Sequence, residues 1–124
     1  MVVKVVTAAS WEDQVVHSDV LTVVDFWHEN CPWCLRLNPI FEEVAEEYKD
    51  KIKFAKLNAL ETAENQEIAI RYGIMSTPTL LFFCAGRPVE EVIGFMSKEQ
   101  LKTTLNDMLD RHMVCINQST ELLV

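Results

Sequence analysis

The segment Cys31-Pro32-Trp33-Cys34 constrains this chain more than any other part of its sequence. Two thiols three residues apart can close a disulfide bond and open it again. The apolar run of residues 20–27 before the pair is typical of a buried parallel strand, and the run of residues 35–48 after it predicts a helix. At such a junction the helix N-terminus favours a thiolate on Cys31, while Cys34 lies one turn inside and is more buried. The pattern indicates a nucleophilic thiol and a resolving thiol.

The same spacing also occurs as half of a metal-ligand set, so a metal site is the main alternative from the residues alone. Such a set needs a second pair of ligands. Cys84 and Cys115 each stand alone in the sequence, and the three histidines form no pair with the spacing of metal ligands. We therefore expect no metal and no cofactor. The alternative is a metal carrier or a bridged iron–sulfur cluster that uses Cys31 and Cys34 as ligands.

Length and composition limit the class of protein. At 124 residues, with 49% of them hydrophobic, the chain predicts one domain with a single core. Its formal net charge of −8 makes nucleic acid and anionic membranes unfavourable partners. No apolar run approaches membrane-spanning length, and the first residues lack the layout of a secretory signal. We therefore expect a cytoplasmic protein, and two isolated cysteines beside one reactive pair agree with a reducing compartment.

Strand and helix patterns alternate along the chain without repeats or linkers. Strands are predicted at residues 2–6, 20–27, 52–57, 79–84 and 89–93, and helices at 11–17, 35–48, 61–72 and from 97 onward. Ser10 is predicted to cap the first helix, Pro39 to kink the second, and Ser97 to form a capping box with Gln100. No pattern continues beyond about residue 113. We therefore expect a domain at residues 1–113 and a tail of undetermined structure at 114–124.

Several of these motifs, in this order, resemble the thioredoxin family over residues 1–112. The matching stretches are Val23-Val-Asp-Phe-Trp27, Cys31-x-x-Cys34 with Pro39, Phe54-Ala-Lys-Leu-Asn58, Tyr72-Gly-Ile74, Thr77-Pro-Thr-Leu-Leu-Phe-Phe83, Gly86 and Gly94. The resemblance implies an α/β thioredoxin fold, in which a central mixed β-sheet is flanked by helices on both faces. It also implies protein dithiol–disulfide exchange as the activity, and a cis Thr77–Pro78 bond across from the cysteine pair.

The cysteine motif departs from the usual pattern of the family. Thioredoxins usually carry Trp-Cys-Gly-Pro-Cys, whereas this chain has Asn30 before the first cysteine, and Pro32 and Trp33 between the two. Residues between the thiols set their electrostatics, and about 1.4 kcal/mol of differential stabilisation moves a two-electron couple by about 30 mV. The resemblance implies a disulfide reductase, and a disulfide oxidase or isomerase is the alternative within the same chemistry.

The resemblance also assigns roles to residues around the two thiols. Asp25 would accept the proton of Cys34, aided by Lys56, because a buried carboxylate has a raised pKa that suits a base near neutral pH. A purely structural pair of Asp25 with Lys56 is the alternative. Trp27 is expected to pack beneath the motif and to help bind substrate, and Trp33 is expected to be exposed.

The family layout further predicts a surface that binds extended protein segments. An apolar rim around Cys31 would be formed by Pro32, Ile74, Met75 and Gly94, and Thr77 with Pro78 would offer a free backbone edge. The expected partners are protein disulfides and a thioredoxin-reductase-like protein or another dithiol electron donor, and we expect a monomer. Outside this surface, Cys84 is expected to be an inert apolar side chain and Cys115 an unpaired thiol in the tail.

Overall fold

A computed structural model describes residues 2–116 of the chain and contains a five-stranded mixed β-sheet. The strands are β1 (Lys4–Val5), β2 (Thr22–Trp27), β3 (Lys53–Asn58), β4 (Thr79–Cys84) and β5 (Arg87–Ile93). Their order across the sheet is β1-β3-β2-β4-β5. The first three strands in that order run parallel, whereas β4 is antiparallel to β2 and β5 is antiparallel to β4. The central position of β2 buries it on both faces, which explains its mainly apolar sequence, in which Thr22 and Asp25 are the polar residues.

Helices cover both faces of this sheet. They are a π-helical segment (Glu12–Val16), α1 (Pro32–Tyr48), α2 (Ala63–Arg71), α3 (Lys98–Arg111) and a short α4 (Met113–Ile116). Side chains of α1, α3 and α4 join the core on one face. The π-helical segment and α2 join the core on the other face. This layered arrangement confirms the predicted sheet with helices on both sides.

The two cores follow from the alternation of side chains along the strands. On the α1 side the cluster of buried residues contains Val23, Phe54, Leu80 and Phe82 from the sheet, packed against Leu37, Phe41, Leu101 and Leu105 from the helices. On the α2 side it contains Val24, Phe26, Leu57, Leu81 and Phe83, packed against Trp11 and Ile68. Neighbouring residues of β2 therefore point into different cores. A polar residue on this strand lies on the same side of the sheet as the apolar residue two positions before it.

Most predicted elements are present, with changes at their ends. Ser97 caps α3 and forms the predicted capping box with Gln100. Ser10 does not cap the first helix: its hydroxyl oxygen accepts a hydrogen bond from the Thr7 N–H at 3.0 Å, and Trp11 occupies the N-cap position. The predicted first strand, residues 2–6, shortens to β1, and α1 continues through Pro39 without ending there.

The connection between β4 and β5 depends on a glycine. Gly86 has a φ of +79°, and a Cβ atom at this position would collide with the carbonyl group of Val16. This close approach fixes the tight turn that starts directly after Cys84. At the other end of the domain α4 extends to residue 116, and the rest of the expected tail, residues 117–124, lies outside the described residues.

Candidate active site

The cysteine motif lies where β2 passes into α1. Cys31 is the N-cap residue of α1, and Pro32 occupies its first turn, where the missing N–H group of proline leaves no hydrogen bond unmade. The sulfur atoms of Cys31 and Cys34 are joined in a disulfide, with 5.2 Å between the Cα atoms. The Cys34 N–H donates to the Cys31 sulfur at 3.2 Å. The free N–H groups at the start of α1 therefore face the first sulfur of the pair.

The loop before β4 lies across from Cys31. The Thr77–Pro78 peptide bond is cis, as predicted, and the Thr77 carbonyl oxygen is 3.5 Å from the Cys31 sulfur. The Gly94 N–H donates to the Pro78 carbonyl oxygen at 2.9 Å. The structure therefore brings Thr77, Pro78 and Gly94 together beside the first cysteine, although they are distant from it in sequence.

Asp25 lies inside the protein, on the side of the sheet that faces α1. It is two residues after Val23 on β2, so the two side chains share the face that packs against α1, and Cys34 is fully buried in that helix. Within residues 2–116 neither carboxyl oxygen of Asp25 has a hydrogen-bond partner. Burial raises the pKa of Asp25 to about 7, and the positive charge of Lys56 opposes part of this shift. The carboxyl can therefore gain or lose a proton near neutral pH.

Lys56 is the charged group that acts most directly on Asp25. The two residues are neighbours in the parallel register of β2 and β3. The Lys56 ammonium lies 3.8 Å from a carboxylate oxygen of Glu42, and 5.5 Å from the centre of the Trp27 ring. It makes no ion pair within 4.0 Å of Asp25 in the described residues. The sequence did not single out Glu42, because its spacing from Cys34 on α1 gives no signal of a contact with Lys56.

Trp33 forms an exposed aromatic surface between the cysteines. Its side chain is 52% exposed, as predicted, and its ring centre lies 5.3 Å from that of Phe95. The Arg36 guanidinium carbon lies 5.0 Å from the centre of the same ring. The i,i+3 spacing on α1 could have indicated the contact with Arg36, whereas Phe95 is brought close only by the fold.

A shallow apolar cavity of about 250 Å³ borders the loop that contains Thr77. It includes Met75, which is 95% exposed, together with Thr77 and the half-buried Ile74. The sequence predicted this part of the rim but missed the contributions of Leu60 and Ile70, which are exposed apolar residues of the same cavity. Trp27, the last residue of β2, is half-buried, and its indole nitrogen is buried without a hydrogen-bond partner among the described residues.

The remaining two cysteines correct an expectation from the sequence. Cys84 and Cys115 do not stand alone, because their sulfur atoms are joined in a second disulfide, with 5.6 Å between the Cα atoms. Their separation of 31 residues hid the pairing, and the even number of cysteines was the signal that could have indicated it. The inference of a reducing compartment from two isolated thiols therefore loses its basis.

Residues 2–116 contain no group of three or more His, Cys, Asp or Glu side chains arranged to hold a metal ion. Within the same residues, none of the helices has the length and apolar character needed to cross a membrane.

Comparison with known proteins identifies the family. The family model described as Thioredoxin matches residues 2–107. The chain is 43% identical over 106 residues to a protein named Thioredoxin from Pyropia yezoensis, covering 86% of this chain and 96% of that one. It is 45% identical over 96 residues to Thioredoxin from Alicyclobacillus acidocaldarius, covering 77% and 89%. It is 40% identical over 108 residues to Thioredoxin 1 from Nostoc sp., covering 87% and 94%.

The chain belongs to the thioredoxin family. The matched region contains the whole sheet and the Cys31–Cys34 disulfide. The protein is a thiol–disulfide oxidoreductase with protein-disulfide reductase activity, and it acts on protein disulfides. The disulfide oxidase or isomerase and the metal carrier, which the sequence left as alternatives, are not favoured by these findings.

Proposed function

We propose that Cys31 is the nucleophile of this reductase and that Cys34 is its resolving thiol. The observation that carries this assignment is the position of the Cys31 sulfur at the N-terminus of α1, where the Cys34 N–H points at it from 3.2 Å. The positive end of the helix dipole stabilises a thiolate there. Cys31 is 7% exposed, whereas Cys34 is completely buried, so a protein disulfide reaches the first sulfur before the second.

The first step is attack by the Cys31 thiolate on one sulfur of the substrate disulfide. A mixed disulfide forms between Cys31 and that sulfur, the substrate S–S bond breaks, and the other substrate sulfur leaves as a thiolate that takes a proton from water. Cys34 then attacks the Cys31 sulfur, which releases the second substrate thiol and leaves the Cys31–Cys34 disulfide. The two electrons of the dithiol have then passed to the substrate.

Asp25 is the proposed base of the second step. It shares with Val23 the face of β2 that packs against α1, the helix that contains the buried Cys34, and its pKa of about 7 lets it accept a proton from the Cys34 thiol near neutral pH. Lys56 has a supporting role, because its ammonium charge stabilises the carboxylate form of Asp25. A solely structural role for Asp25 is disfavoured by its burial without a hydrogen-bond partner in residues 2–116, which lowers stability.

The substrate segment is proposed to bind along the loop that contains Thr77 and Pro78. An extended backbone next to Thr77 would place its cysteine close to the Cys31 sulfur, which is 3.5 Å from the Thr77 carbonyl oxygen. Pro32, Trp33, Met75 and Gly94 are proposed to offer apolar contact around this position, and Trp27 is proposed to support the motif from beneath. Such contacts are weak and numerous, which suits transient binding of many protein segments.

The remaining assignments concern the setting of the reaction. A thioredoxin-reductase-like protein or another dithiol donor is proposed to return the disulfide to the dithiol, because each reduction of a substrate leaves Cys31 and Cys34 joined in a disulfide. We also propose a monomer in the cytoplasm. The net charge of −8 makes nucleic acid and anionic membranes unfavourable partners. In electron transport the chain would act as a two-electron carrier.

The test is to trap substrates with the Cys34→Ser variant. Loss of the resolving thiol should leave mixed disulfides on Cys31, so that partner proteins are recovered from cell extract and released by dithiothreitol. Cys31→Ser is the blank and Cys84→Ser is a control that should behave like the unaltered chain. Equal recovery from the Cys34→Ser and Cys31→Ser variants would overturn the assignment, as would preferential alkylation of Cys34 over Cys31 in the reduced protein.

A further inference from the structure

The second disulfide lies at the end of the sheet away from the proposed active site. Cys84 is the last residue of β4, whereas Thr79, the first residue of that strand, follows the loop that contacts Cys31. Six residues of strand span about 16 Å. The two disulfides of one molecule therefore cannot exchange with each other directly, and each must react with an external thiol or disulfide.

The second disulfide attaches the C-terminal helix to the sheet. Cys115 is 1% exposed and belongs to the core between the sheet, α1 and α3. It lies on α4, which has four residues and is too short to persist as a helix without tertiary contacts. Just before it, the Arg111 guanidinium lies 3.4 Å from Glu90 on β5, but this exposed ion pair contributes little. The covalent bond is therefore the strongest link between α4 and the sheet in the described residues.

We propose that Cys84–Cys115 is a second redox site, a disulfide clamp that stays oxidised while Cys31–Cys34 cycles and is opened by dithiols under more strongly reducing conditions. This inference does not depend on which thiol of the first pair is the nucleophile. The attacking thiolate of the dithiol reaches the half-buried Cys84, because Cys115 is enclosed in the core. The S–S bond breaks, Cys115 leaves as a thiol, and a mixed disulfide forms on Cys84. The second thiol of the dithiol then displaces Cys84, so that the clamp is reduced and the dithiol is oxidised.

The order of reduction follows from the surroundings of the two pairs. Cys31 lies at the N-terminus of the 17-residue helix α1, which stabilises the thiolate of the reduced form and therefore favours reduction. Cys84 ends a β-strand, which has only a small net dipole, and Cys115 is surrounded by apolar core residues. In addition, a disulfide that stabilises the folded chain is itself stabilised by folding to the same extent. Both effects make Cys84–Cys115 the harder pair to reduce.

A redox titration tests this order. The full-length chain is equilibrated in mixtures of reduced and oxidised dithiothreitol, and acid stops the exchange. The free thiols are then alkylated near neutral pH in denaturant, and each cysteine pair is followed by peptide mass. We expect Cys84–Cys115 to open at a reduced-to-oxidised ratio at least about tenfold higher than Cys31–Cys34, a difference of about 30 mV. A single shared midpoint, or opening of Cys84–Cys115 first, would overturn the proposal. So would free Cys84 and Cys115 in the fully oxidised protein.

The clamp is tested separately in a Cys31→Ser/Cys34→Ser background, where the second pair is the only one left to reduce. Reduction should lower the melting temperature by about 10 °C. It should also increase hydrogen exchange of the amides at residues 113–116. The matched control carries Cys84→Ser and Cys115→Ser as well, and its melting temperature should not respond to reduction. If reduction of the Cys31→Ser/Cys34→Ser protein changed neither the hydrogen exchange nor the melting temperature, the Cys84–Cys115 bond would not stabilise α4, and the proposal would fail.

Discussion

The two disulfides of this protein have the same bond in opposite surroundings. Cys31–Cys34 closes a loop at a helix N-terminus, beside a backbone loop that can meet a substrate and a buried acid whose pKa is raised to about 7. Cys84–Cys115 closes a 31-residue separation between a strand end and a helix in the apolar core. Within residues 2–116, no helix as long as α1 begins beside that pair.

The difference teaches that chemistry and stability make opposite demands on a disulfide. A catalytic pair must have dithiol and disulfide forms of similar free energy, so its surroundings stabilise the thiolate and its loop is short. A stabilising pair contributes most when it closes a long loop, because it removes more of the freedom of the unfolded chain.

The largest expected difference is in catalysis. Cys31→Ser should lower the rate of insulin disulfide reduction by at least about 1000-fold, since the nucleophile of a covalent mechanism has no substitute. Cys84→Ser should keep the rate within about twofold of the original, because that residue lies at the far end of β4. The measurement is initial rate with a dithiol donor in excess. A comparable loss of activity in both variants would remove the distinction between a catalytic and a structural pair.

The second prediction concerns the acid that accompanies the first pair and has no counterpart at the second. Asp25 has an ordinary pKa of 3.8 in the unfolded chain and about 7 in the folded one. Below about pH 4 it is protonated in both states. Between pH 3.8 and about 7 the unfolded chain loses this proton while the folded protein keeps it, so the free energy of unfolding falls as the pH rises. Above about pH 7 the whole loss of stability, roughly 4 kcal/mol, is present.

Asp25→Asn should therefore stabilise the oxidised protein by roughly that amount at pH 8 and leave it unchanged near pH 3.5. Denaturant unfolding at several pH values measures the difference. Asp110→Asn, an exposed position on α3 close to the second pair in sequence, is the control and should change stability little at either pH. A uniform gain at every pH would point to packing rather than to ionisation.

The sequence predicted the fold and the first pair well because their signals are local. The apolar run of β2, the cysteine spacing and the capping box at Ser97 each involve residues within a few positions of one another. The resemblance to the thioredoxin family supplied the long-range arrangement, including the cis bond before Pro78, which no local pattern determines. It also drew attention to Asp25, whose burial without a hydrogen-bond partner in residues 2–116 is visible only in three dimensions.

The contacts that the sequence missed depend on the tertiary arrangement of distant segments. Phe95 reaches Trp33 from the segment before α3, and Glu42 reaches Lys56 across the gap between α1 and β3. The pairing of Cys84 with Cys115 is of the same kind, and the family resemblance was of no help because it ended at residue 112. The sequence could not predict a contact between two residues that are far apart in the chain when that contact is also not part of the family pattern.

The third prediction compares the contribution of the two bonds to stability. For a separation of 31 residues the loss of chain entropy corresponds to roughly 3–4 kcal/mol, and for a separation of three residues to between about 1 and 2 kcal/mol. Cys84→Ser/Cys115→Ser should therefore lower the free energy of unfolding of the oxidised protein by about 2 kcal/mol more than Cys31→Ser/Cys34→Ser. Urea unfolding at pH 7 gives both values. A larger loss from the first pair would contradict the roles assigned here.

The smallest expected effect tests how finely the surroundings of the first pair are adjusted. Glu42 holds the Lys56 ammonium at 3.8 Å, and Lys56 in turn lowers the pKa of Asp25. In Glu42→Gln the ammonium keeps its charge without a competing carboxylate, so its attraction for ionised Asp25 is stronger. The pKa of Asp25 should fall by about half a unit, and the fall of stability with pH should be complete at a correspondingly lower pH.

The matched control for this experiment is Glu43→Gln. Glu43 is the next residue of α1, but its carboxylate pairs with Lys98 on α3 at 2.6 Å rather than with Lys56. The two variants lose the same charge from adjacent positions, so a general effect of net charge would move the pH dependence of both equally. A shift confined to Glu42→Gln would show that the Glu42–Lys56 pair adjusts Asp25 locally, whereas equal shifts, or a rise of the pKa, would show that it does not.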